Sequence, residues 1–502
     1  MTSVRYPYRT FMRQALASAM VALISAGLST PAFADRLQTA AVMAPLEIPR
    51  QISWENFERL LDQARQSGVD TVSVDFFWGK IEGAGDQNFD WSDYDRIVDS
   101  IRARGLKIVP IISFHRCGGG PGDDCDIPLP RWLYSAFIGI GLSATDLKYE
   151  SEQGRIHEDA IVPWATVTPA VLDQFRELMT AFATHYAPQA SSFAELNISL
   201  GPTGELRYPS YNSYPGSDGW QYPDRGFFQA YSALAQASFR SWALNRFGGL
   251  PGVSARWNIP LASPSEIRVP GGDLPPTAGR RAETFVQDRD YSDTRYGQDF
   301  IDWYNQSLVD HGRRLLIAAD AAFSGPFQSI PLGMKIPGVH WQMMSCAAHP
   351  RIAEITAGLV QTTLDLRPIE QARGDAYGYK RIVDMVADVS SQTGRDVVLH
   401  FTAAEMDNDS ACGTGNSMAE ALVFWIAQAA HDRGVPAKSE NALACVNQPG
   451  DDRTWESIRN VFANSTYQGF TLLRLVENGC NPWGTDRDAY ASFIRDFGTS
   501  RP

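Results

Sequence analysis

Carboxyl-bearing residues follow short apolar stretches of this chain, and the clearest case is Gly201-Pro-Thr-Gly-Glu205-Leu-Arg-Tyr-Pro-Ser-Tyr211. The apolar run from Phe193 to Leu200 stops at glycine and proline, and Glu205 follows at once. A carboxyl group placed where a strand gives way to a loop is how a β/α barrel presents a catalyst. A lone glutamate there is more often a cap or a salt-bridge partner, so the prediction depends on its neighbours at the same edge.

Other apolar runs also end in residues suited to sugar chemistry. They are Asp75 with Trp78, His115, Lys335 with His340, Thr402 with Glu405, Glu440 with Asn441 and Ala442, and Arg474. Each alone is more often structural, such as an acid paired with an arginine. Together they place carboxylates, imidazoles, a lysine and an arginine around one rim.

Two of these carboxyl groups suit the hydrolysis of a glycosidic bond. That reaction needs one protonated carboxyl group to assist the leaving oxygen and one ionised group to activate water or attack the sugar. Glu205 follows the fourth of eight predicted strands, and Glu440 lies on the seventh. This placement, roughly opposite across a barrel mouth, favours a wide gap with room for water and therefore inversion.

A glycine-rich segment, Cys117-Gly-Gly-Gly-Pro-Gly-Asp123-Asp-Cys125, follows the third predicted strand. Such a segment can form a mobile flap that brings Asp123 over a ligand, and the alternative is a solvated turn. Its acids lack the Asp-x-Asp-x-Asp-Gly spacing of a common calcium loop. Cys117 and Cys125 lie eight residues apart, a spacing that can close a small disulfide ring.

Short apolar runs alternate with amphipathic segments along the chain, and this pattern predicts a (β/α)8 barrel. The predicted strands are Thr39 to Pro45, Thr71 to Phe77, Lys107 to Phe114, Phe193 to Leu200, Met334 to Trp341, Val397 to Ala403, Lys438 to Leu443 and Phe470 to Leu475. Gly68 and Gly105 are expected to end helices. Long connections after the third and fourth strands should build the active-site face. We expect one catalytic domain over residues 35–502, without a separate carbohydrate-binding module.

The first 34 residues are typical of a secretory signal peptide. Arg5, Arg9 and Arg13 precede an apolar stretch from Ala15 to Leu28, and Ala32-Phe-Ala34 is a cleavage site. A membrane anchor is the alternative, but the stretch is short for a span. We therefore expect a secreted or periplasmic protein that does not stay at the membrane.

Net charge and cysteine content limit the other functions. A net charge of −13 argues against nucleic acid as a partner, because neutralising phosphates requires a basic face. No cysteine or histidine spacing suggests zinc. Four cysteines beyond the glycine-rich segment allow three pairings, among which the sequence does not choose. They are Cys346, Cys412, Cys445 and Cys480.

The chain resembles the β-amylases of glycoside hydrolase family 14, particularly the bacterial ones, from about Val42 to Asp496. The motifs that carry the resemblance are Asp75 to Glu82, Ser113 to Pro130, Gly201 to Tyr211, Gly338 to Gln342, Phe401 to Met406, Glu440 to Leu443 and Thr471 to Leu475. The resemblance implies exo-acting, inverting hydrolysis of α-1,4-glucosidic bonds of starch or maltooligosaccharides, with release of β-maltose from the non-reducing end. We expect a monomer.

The resemblance also implies a role for each matching residue. Glu205 matches the general acid, Glu440 the general base and Asp123 an acid on the closing loop, whereas Thr402 helps hold the deprotonated acid. Sugar-contacting positions are Asp75, His115, Lys335, His340, Asn441, Ala442 and Arg474. Glu405 does not match the base. One structural calcium ion is implied at Glu82, Asp86, Gln87 and Glu152, and no organic cofactor is expected.

Three departures from the family pattern bear on subsite geometry, and one of them is the unfamiliar segment Gln342-Met-Met-Ser-Cys346. Phe77-Trp78 stands where members often have two tryptophans, and Thr402-Ala-Ala-Glu405 replaces the more usual Thr-Cys-Leu-Glu. Two alternatives stay open. One is a retaining barrel glycosidase that acts on another glycan, and the other is a catalytically silent barrel that binds or senses glucan. Retention of Glu205, Glu440, Asp123 and Thr402 counts against the silent barrel.

Overall fold

The computed structural model describes residues 37–118, 125–210, 226–271, 282–343, 349–360, 378–409, 417–442, 453–476 and 482–498. Several predictions fall outside these ranges. They concern the signal peptide, the flap residue Asp123, and the pairing of Cys346, Cys412, Cys445 and Cys480.

Eight parallel strands close into a barrel, and each pairs with the next in chain order until β8 pairs with β1. The strands are β1 (Thr39–Met43), β2 (Thr71–Phe77), β3 (Lys107–Ser113), β4 (Leu196–Ile198), β5 (Leu332–Ile336), β6 (Val397–Phe401), β7 (Ala437–Glu440) and β8 (Gly469–Leu472). The predicted (β/α)8 barrel is confirmed.

The strands form because their sequences are apolar on both faces. In β3, every residue after Lys107 is buried, as expected of a parallel strand covered by helices outside and by side chains inside. The fifth strand begins at Leu332 and ends at Ile336, earlier than the predicted range from Met334 to Trp341. Pro337 follows directly, and proline has no N–H with which to continue the ladder.

Helices cover the outside of the barrel. Those of eight or more residues are Trp54–Gln66, Ser92–Arg102, Pro169–His185, Ala233–Phe247, Leu250–Trp257, Arg295–Ala322, Lys380–Thr393, Ala419–Asp432, Arg453–Asn464 and Pro482–Phe497. Shorter helices span Trp78–Ile81, Leu133–Ala136, Ala282–Gln287, Asp290–Asp293 and Ile352–Thr356. Gly68 and Gly105 have φ of 95° and 70°, the left-handed conformation predicted where helices end. Of the described helices, none is long and apolar enough to cross a membrane.

The connections after β3 and β4 are bonded to each other. Two antiparallel two-residue strands, Tyr149–Glu150 and Ile156–His157, form a hairpin in the first connection. Glu150 pairs with Ala230 of the second connection. Glu152 N donates to Phe228 O at 2.9 Å, and Phe228 N donates to Glu152 Oε2 at 3.2 Å. The two long connections, which begin at the carboxyl ends of β3 and β4, are therefore joined into one wall.

Candidate active site

Glu205 lies where the sequence predicted, in extended backbone after β4, beside a buried arginine. Its Oε2 accepts hydrogen bonds from Arg207 Nε at 2.8 Å and from Thr203 Oγ1 at 3.2 Å. Arg207 is completely buried and also donates to Thr203 Oγ1 at 2.9 Å. Thr203 has φ of 54°, a conformation that a threonine adopts only when its surroundings impose it. One oxygen of Glu205 is thus held by two donors.

The segment after Glu205 is fixed to the longest described helix by aromatic packing. The Tyr208 ring stacks on Tyr304 with centroids 4.0 Å apart, and Tyr208 Oη donates to Tyr304 O at 2.9 Å. Trp164 stacks on the Tyr208 ring at 5.6 Å. A side chain supported by a packed aromatic cluster keeps a defined position, which a catalytic carboxyl group requires.

Glu440 ends β7 and pairs with Lys335 of β5. Lys335 Nζ lies 3.0 Å from Oε1 and 2.7 Å from Oε2, and both side chains are largely buried. The backbone of Glu205 forms a parallel bridge with Lys335, and Leu206 N donates to Lys335 O at 2.8 Å. Lys335 therefore contacts Glu440 through its side chain and the Glu205 segment through its backbone.

A second set of contacts crosses the seam where the barrel closes. Arg474 of the segment after β8 lies 3.3 Å from Asp75 Oδ2 on β2, and Ser113 Oγ of β3 donates to Asp75 Oδ1 at 3.2 Å. Asn441 Oδ1 accepts from Leu473 N at 2.9 Å. The contacts bring the predicted sugar-binding residues Asp75, Asn441 and Arg474 to one side of the mouth.

Two histidines predicted to bind sugar are held by serines. His115 Nδ1 lies 2.9 Å from Ser199 Oγ, and His340 Nδ1 lies 2.7 Å from Ser417 Oγ. Burial lowers the pKa of His115 to about 4 and that of His340 to about 4. Both rings are therefore neutral at neutral pH, and because Nδ1 is bonded to serine, Nε2 is the nitrogen that can meet a sugar hydroxyl, as donor or acceptor according to the tautomer.

The segment after β6 contacts both neighbouring strand ends. Thr402 Oγ1 accepts from Gly338 N at 2.8 Å, and the next residue, Ala403, has φ of 72°. Both carboxyl oxygens of Glu405 accept from Ala442 N, at 2.9 and 3.0 Å. Glu405 thus has a structural contact of its own, separate from Glu440.

A charged layer fills the barrel beneath this mouth. Glu195 Oε1 lies 2.5 Å from His400 Nε2, and Glu195 Oε2 accepts from Lys438 Nζ at 2.7 Å. Burial raises the pKa of Glu195, but Lys438 and His400 outweigh burial and bring it to about 2. A Cβ atom at Gly333 would overlap Asn197 Oδ1 and Glu195 Oε1. The absence of a side chain at Gly333 in β5 therefore leaves room for Asn197 and Glu195. The ion pair between Glu195 and Lys438 joins the β4 segment to β7.

Acidic side chains do gather near the predicted calcium ligands. Glu82 accepts from Trp78 Nε1 and from Gln87 N, each at 2.7 Å. Burial raises the pKa of Glu82, and the negative charges of Glu177 and Asp86 raise it further. No group of three or more histidine, cysteine, aspartate or glutamate side chains within the described ranges is arranged to hold a metal ion.

The two cysteines of the glycine-rich segment lie side by side. Their Cα atoms are 5.5 Å apart, and Cys117 and Ile127 exchange backbone hydrogen bonds of 2.9 and 3.1 Å. This separation is within the range that a disulfide spans. The two ends of the glycine-rich segment thus lie next to each other.

Several residues of the site were missed in the sequence. The partners Ser113, Thr203, Ser199, Arg207 and Ser417 were not singled out, nor were Glu195, His400, Lys438 or Glu177. A signal existed for Arg207, because it follows Glu205 by two residues, and alternate residues of extended backbone share a face. The serines carry no such pattern.

Comparison with known proteins gives the family. The sequence profile described as Glycosyl hydrolase family 14 matches residues 41–498. The chain is 36% identical to a β-amylase of Bacillus cereus over 436 residues, 87% of this chain and 70% of that protein. It is 35% identical to a β-amylase of Cytobacillus firmus over 459 residues, 91% of this chain and 86% of that protein.

A solved structure agrees with these relatives. The crystal structure of the catalytic domain of a β-amylase from Paenibacillus polymyxa matches with a TM-score of 0.74 and 32% identity. The match covers 94% of this chain and 100% of that domain. The predicted resemblance and the prediction of a β-amylase-type glycosidase are confirmed. The chain belongs to glycosyl hydrolase family 14.

Proposed function

We propose that this chain is a secreted, inverting β-amylase that releases β-maltose from the non-reducing ends of α-1,4-glucans. The observation that carries the proposal is the arrangement of two carboxyl groups around Lys335. Glu205 follows β4 and is bonded to Lys335 through its backbone, whereas Glu440 ends β7 and is bonded to the lysine side chain. Two carboxyl groups in different surroundings are what acid and base roles require.

Glu440 is the proposed general base. The Lys335 ammonium group offsets the charge of the carboxylate and holds both of its oxygens in place. An ionised carboxylate can take a proton from water as the oxygen of that water attacks the anomeric carbon. The bond to the leaving sugar breaks in the same step, so the configuration at that carbon inverts.

Glu205 is the proposed general acid. Its Oε2 already accepts from Arg207 and Thr203, so the proton delivered to the leaving oxygen belongs on Oε1. After cleavage the acid is left as a carboxylate, and Arg207 then offsets its charge. We propose that Thr402, whose Oγ1 accepts from Gly338 N in this structure, helps to hold the deprotonated Glu205. We also propose that Asp123 closes over the bound sugar.

The joined wall supports exo-action. The connections after β3 and β4 are tied together through Glu150 with Ala230 and through Glu152 with Phe228. A wall at one end of a cleft limits how far the non-reducing end can enter. Asp75, His115, Lys335, His340, Asn441, Ala442 and Arg474 are the proposed contacts of the sugar units.

We propose that one calcium ion binds at the outside of the barrel near Glu82, Asp86 and Gln87. Glu177 is a further oxygen ligand to consider, since its charge acts on Glu82, whereas the described contacts of Glu152 are with Phe228. Calcium would supply positive charge among these acids. An ion that binds only the folded state raises the melting temperature, so equal melting curves in calcium and in chelator would contradict this site.

We also propose that the chain is a monomeric, single-domain enzyme, exported by its first 34 residues, with a Cys117–Cys125 disulfide.

The experiment that tests the enzymatic proposal is incubation of the purified protein with soluble starch. Release of maltose while the average chain length of the polymer changes little supports the proposal. Release of larger internal fragments, or absence of reducing sugar, contradicts it.

A further inference from the structure

A cavity of about 360 Å³ lies behind the strand end that carries His115. Its lining residues are Arg116, Pro128, Leu129, Arg131, Tyr134 and Glu158. We call it the Arg116 cavity. Because a water molecule takes up roughly 30 Å³ in the liquid, this volume holds a small ion together with several waters.

Two hydrogen-bond donors at this cavity lack partners in the part of the chain that the structure describes. Arg116 Nε and Tyr134 Oη are buried, and neither has a hydrogen-bond partner among the described residues. Burial raises the pKa of Tyr134, and the charges of Glu158 and Asp159 raise it further, so the phenol stays protonated and can donate. Buried donors are nearly always satisfied in folded proteins, and where no protein group does so, a bound ion or an ordered water can.

Cations and carboxylates both lie around this cavity: Arg116, Arg131 and Lys148 are positive, whereas Asp126, Glu158 and Asp159 are negative. Glu158 forms an ion pair with Lys148, whose ammonium group also lies over the Tyr134 ring at 4.6 Å. The nearest carboxylate contact of Arg116 is Asp126, at 3.7 Å and strongly exposed. Arg131 is exposed. Two guanidinium groups thus reach the cavity, and the ion-pair partner of Arg116 among the described contacts, Asp126, is on the exposed side.

The backbone fixes where Arg116 points. His115 pairs with Ala160, Cys117 pairs with Ile127, and Arg116 N donates to Asp159 O at 2.9 Å. Neighbouring side chains of extended backbone point to opposite faces. His115 faces Ser199 inside the barrel mouth, so the guanidinium group of Arg116 lies on the far side of the same segment, outside the sugar site.

We propose that the Arg116 cavity binds a tetrahedral oxyanion, such as inorganic phosphate or sulfate, through Arg116, Arg131 and Tyr134. Guanidinium groups match the spacing of oxyanion oxygens, and the phenol adds a third donor. The site is separate from the sugar-binding mouth and does not depend on the proposed catalytic roles. The bound anion holds the segment between His115 and Cys117.

The test is calorimetric titration of the full-length protein with sodium phosphate, with chloride adjusted to keep ionic strength constant. We expect saturable binding with a dissociation constant on the order of 1 mM. Arg116→Gln should weaken it by about tenfold, the effect of losing one charge-assisted hydrogen bond. Tyr134→Phe removes only a hydroxyl group, keeps the net charge, and should also weaken binding.

Arg65→Gln is the matched control, because it removes the same charge from an exposed position on the helix Trp54–Gln66. Unchanged phosphate affinity in this variant, with weaker affinity in Arg116→Gln and Tyr134→Phe, supports the proposal. Absence of saturable binding up to about 50 mM, or equal weakening in all three variants, overturns it. Acetate binding as tight as phosphate binding would overturn the assignment to a tetrahedral anion.

Discussion

Lys335 Nζ contacts both carboxyl oxygens of Glu440, at 3.0 and 2.7 Å, from a strand two places away in the barrel. The same lysine is joined through its backbone to the segment of Glu205. One residue of β5 therefore lies between the proposed acid and the proposed base. Its loss should affect both the orientation of Glu440 and the spacing of the pair.

Replacing Lys335 tests this relationship. Lys335→Met leaves Glu440 buried without its cation, which costs about 3–5 kcal/mol of stability when a buried pair loses one partner. We expect kcat to fall by at least about 100-fold, since the base loses both contacts that orient its carboxylate. The test is to measure kcat of the variant with maltopentaose as substrate, at a temperature well below its melting temperature. Activity close to that of the wild type would remove Lys335 from the account.

Glu205→Gln tests the acid. The amide cannot supply the proton, so we expect kcat to fall by about 10²–10⁴-fold while maltose-type ligands still bind. Glu405→Gln is the matched control, because it removes a carboxylate whose described contacts are with Ala442 N. The control should lose less than about tenfold, since the amide oxygen can still accept a bond. Similar losses in the two variants would contradict the assignment.

The buried histidines predict how stability depends on pH. The pKa of His115 is about 4 in the folded protein and 6.5 when unperturbed, so the unfolded chain binds more protons between these values. The free energy of unfolding is therefore fully maintained above pH 6.5 and falls as pH decreases toward 4, by up to about 3 kcal/mol for this histidine. The measurement is denaturant unfolding at several pH values across this range. The free energy of unfolding should change less steeply with pH in His115→Asn than in the wild type. The same pH dependence in the variant and the wild type would contradict a buried, neutral His115 imidazole.

Gly333 should tolerate no side chain. In Gly333→Ala the new Cβ atom would overlap Asn197 Oδ1 and Glu195 Oε1, and both of those side chains are buried. We expect a loss of about 1–3 kcal/mol or more, because Asn197 and Glu195 must shift and Glu195 is bonded to His400 and Lys438. Gly139→Ala is the control, since nothing lies within 4 Å of its Cβ position. Comparable melting temperatures for the two variants would argue against the tight interior.

The sequence predicted the barrel and the positions of its strands, because parallel strands buried on both faces read as apolar runs between helical segments. It also predicted that Glu205, Lys335 and Glu440 share one rim. It could not predict which of them touch. The Lys335–Glu440 pair spans 105 residues, and the Glu195–Lys438 pair spans 243. Such contacts depend on barrel closure and side-chain rotamers, which no local pattern records.

The most direct test of the inverting mechanism is proton NMR of the first products released from maltopentaose. If Glu440 activates water opposite the bond that Glu205 protonates, a single displacement converts an α-linkage into a β-configured product. We predict that the anomeric signal of β-maltose appears first and that α-maltose accumulates only later, through mutarotation. Initial appearance of α-maltose would contradict the assignment of Glu205 and Glu440 as an inverting acid–base pair.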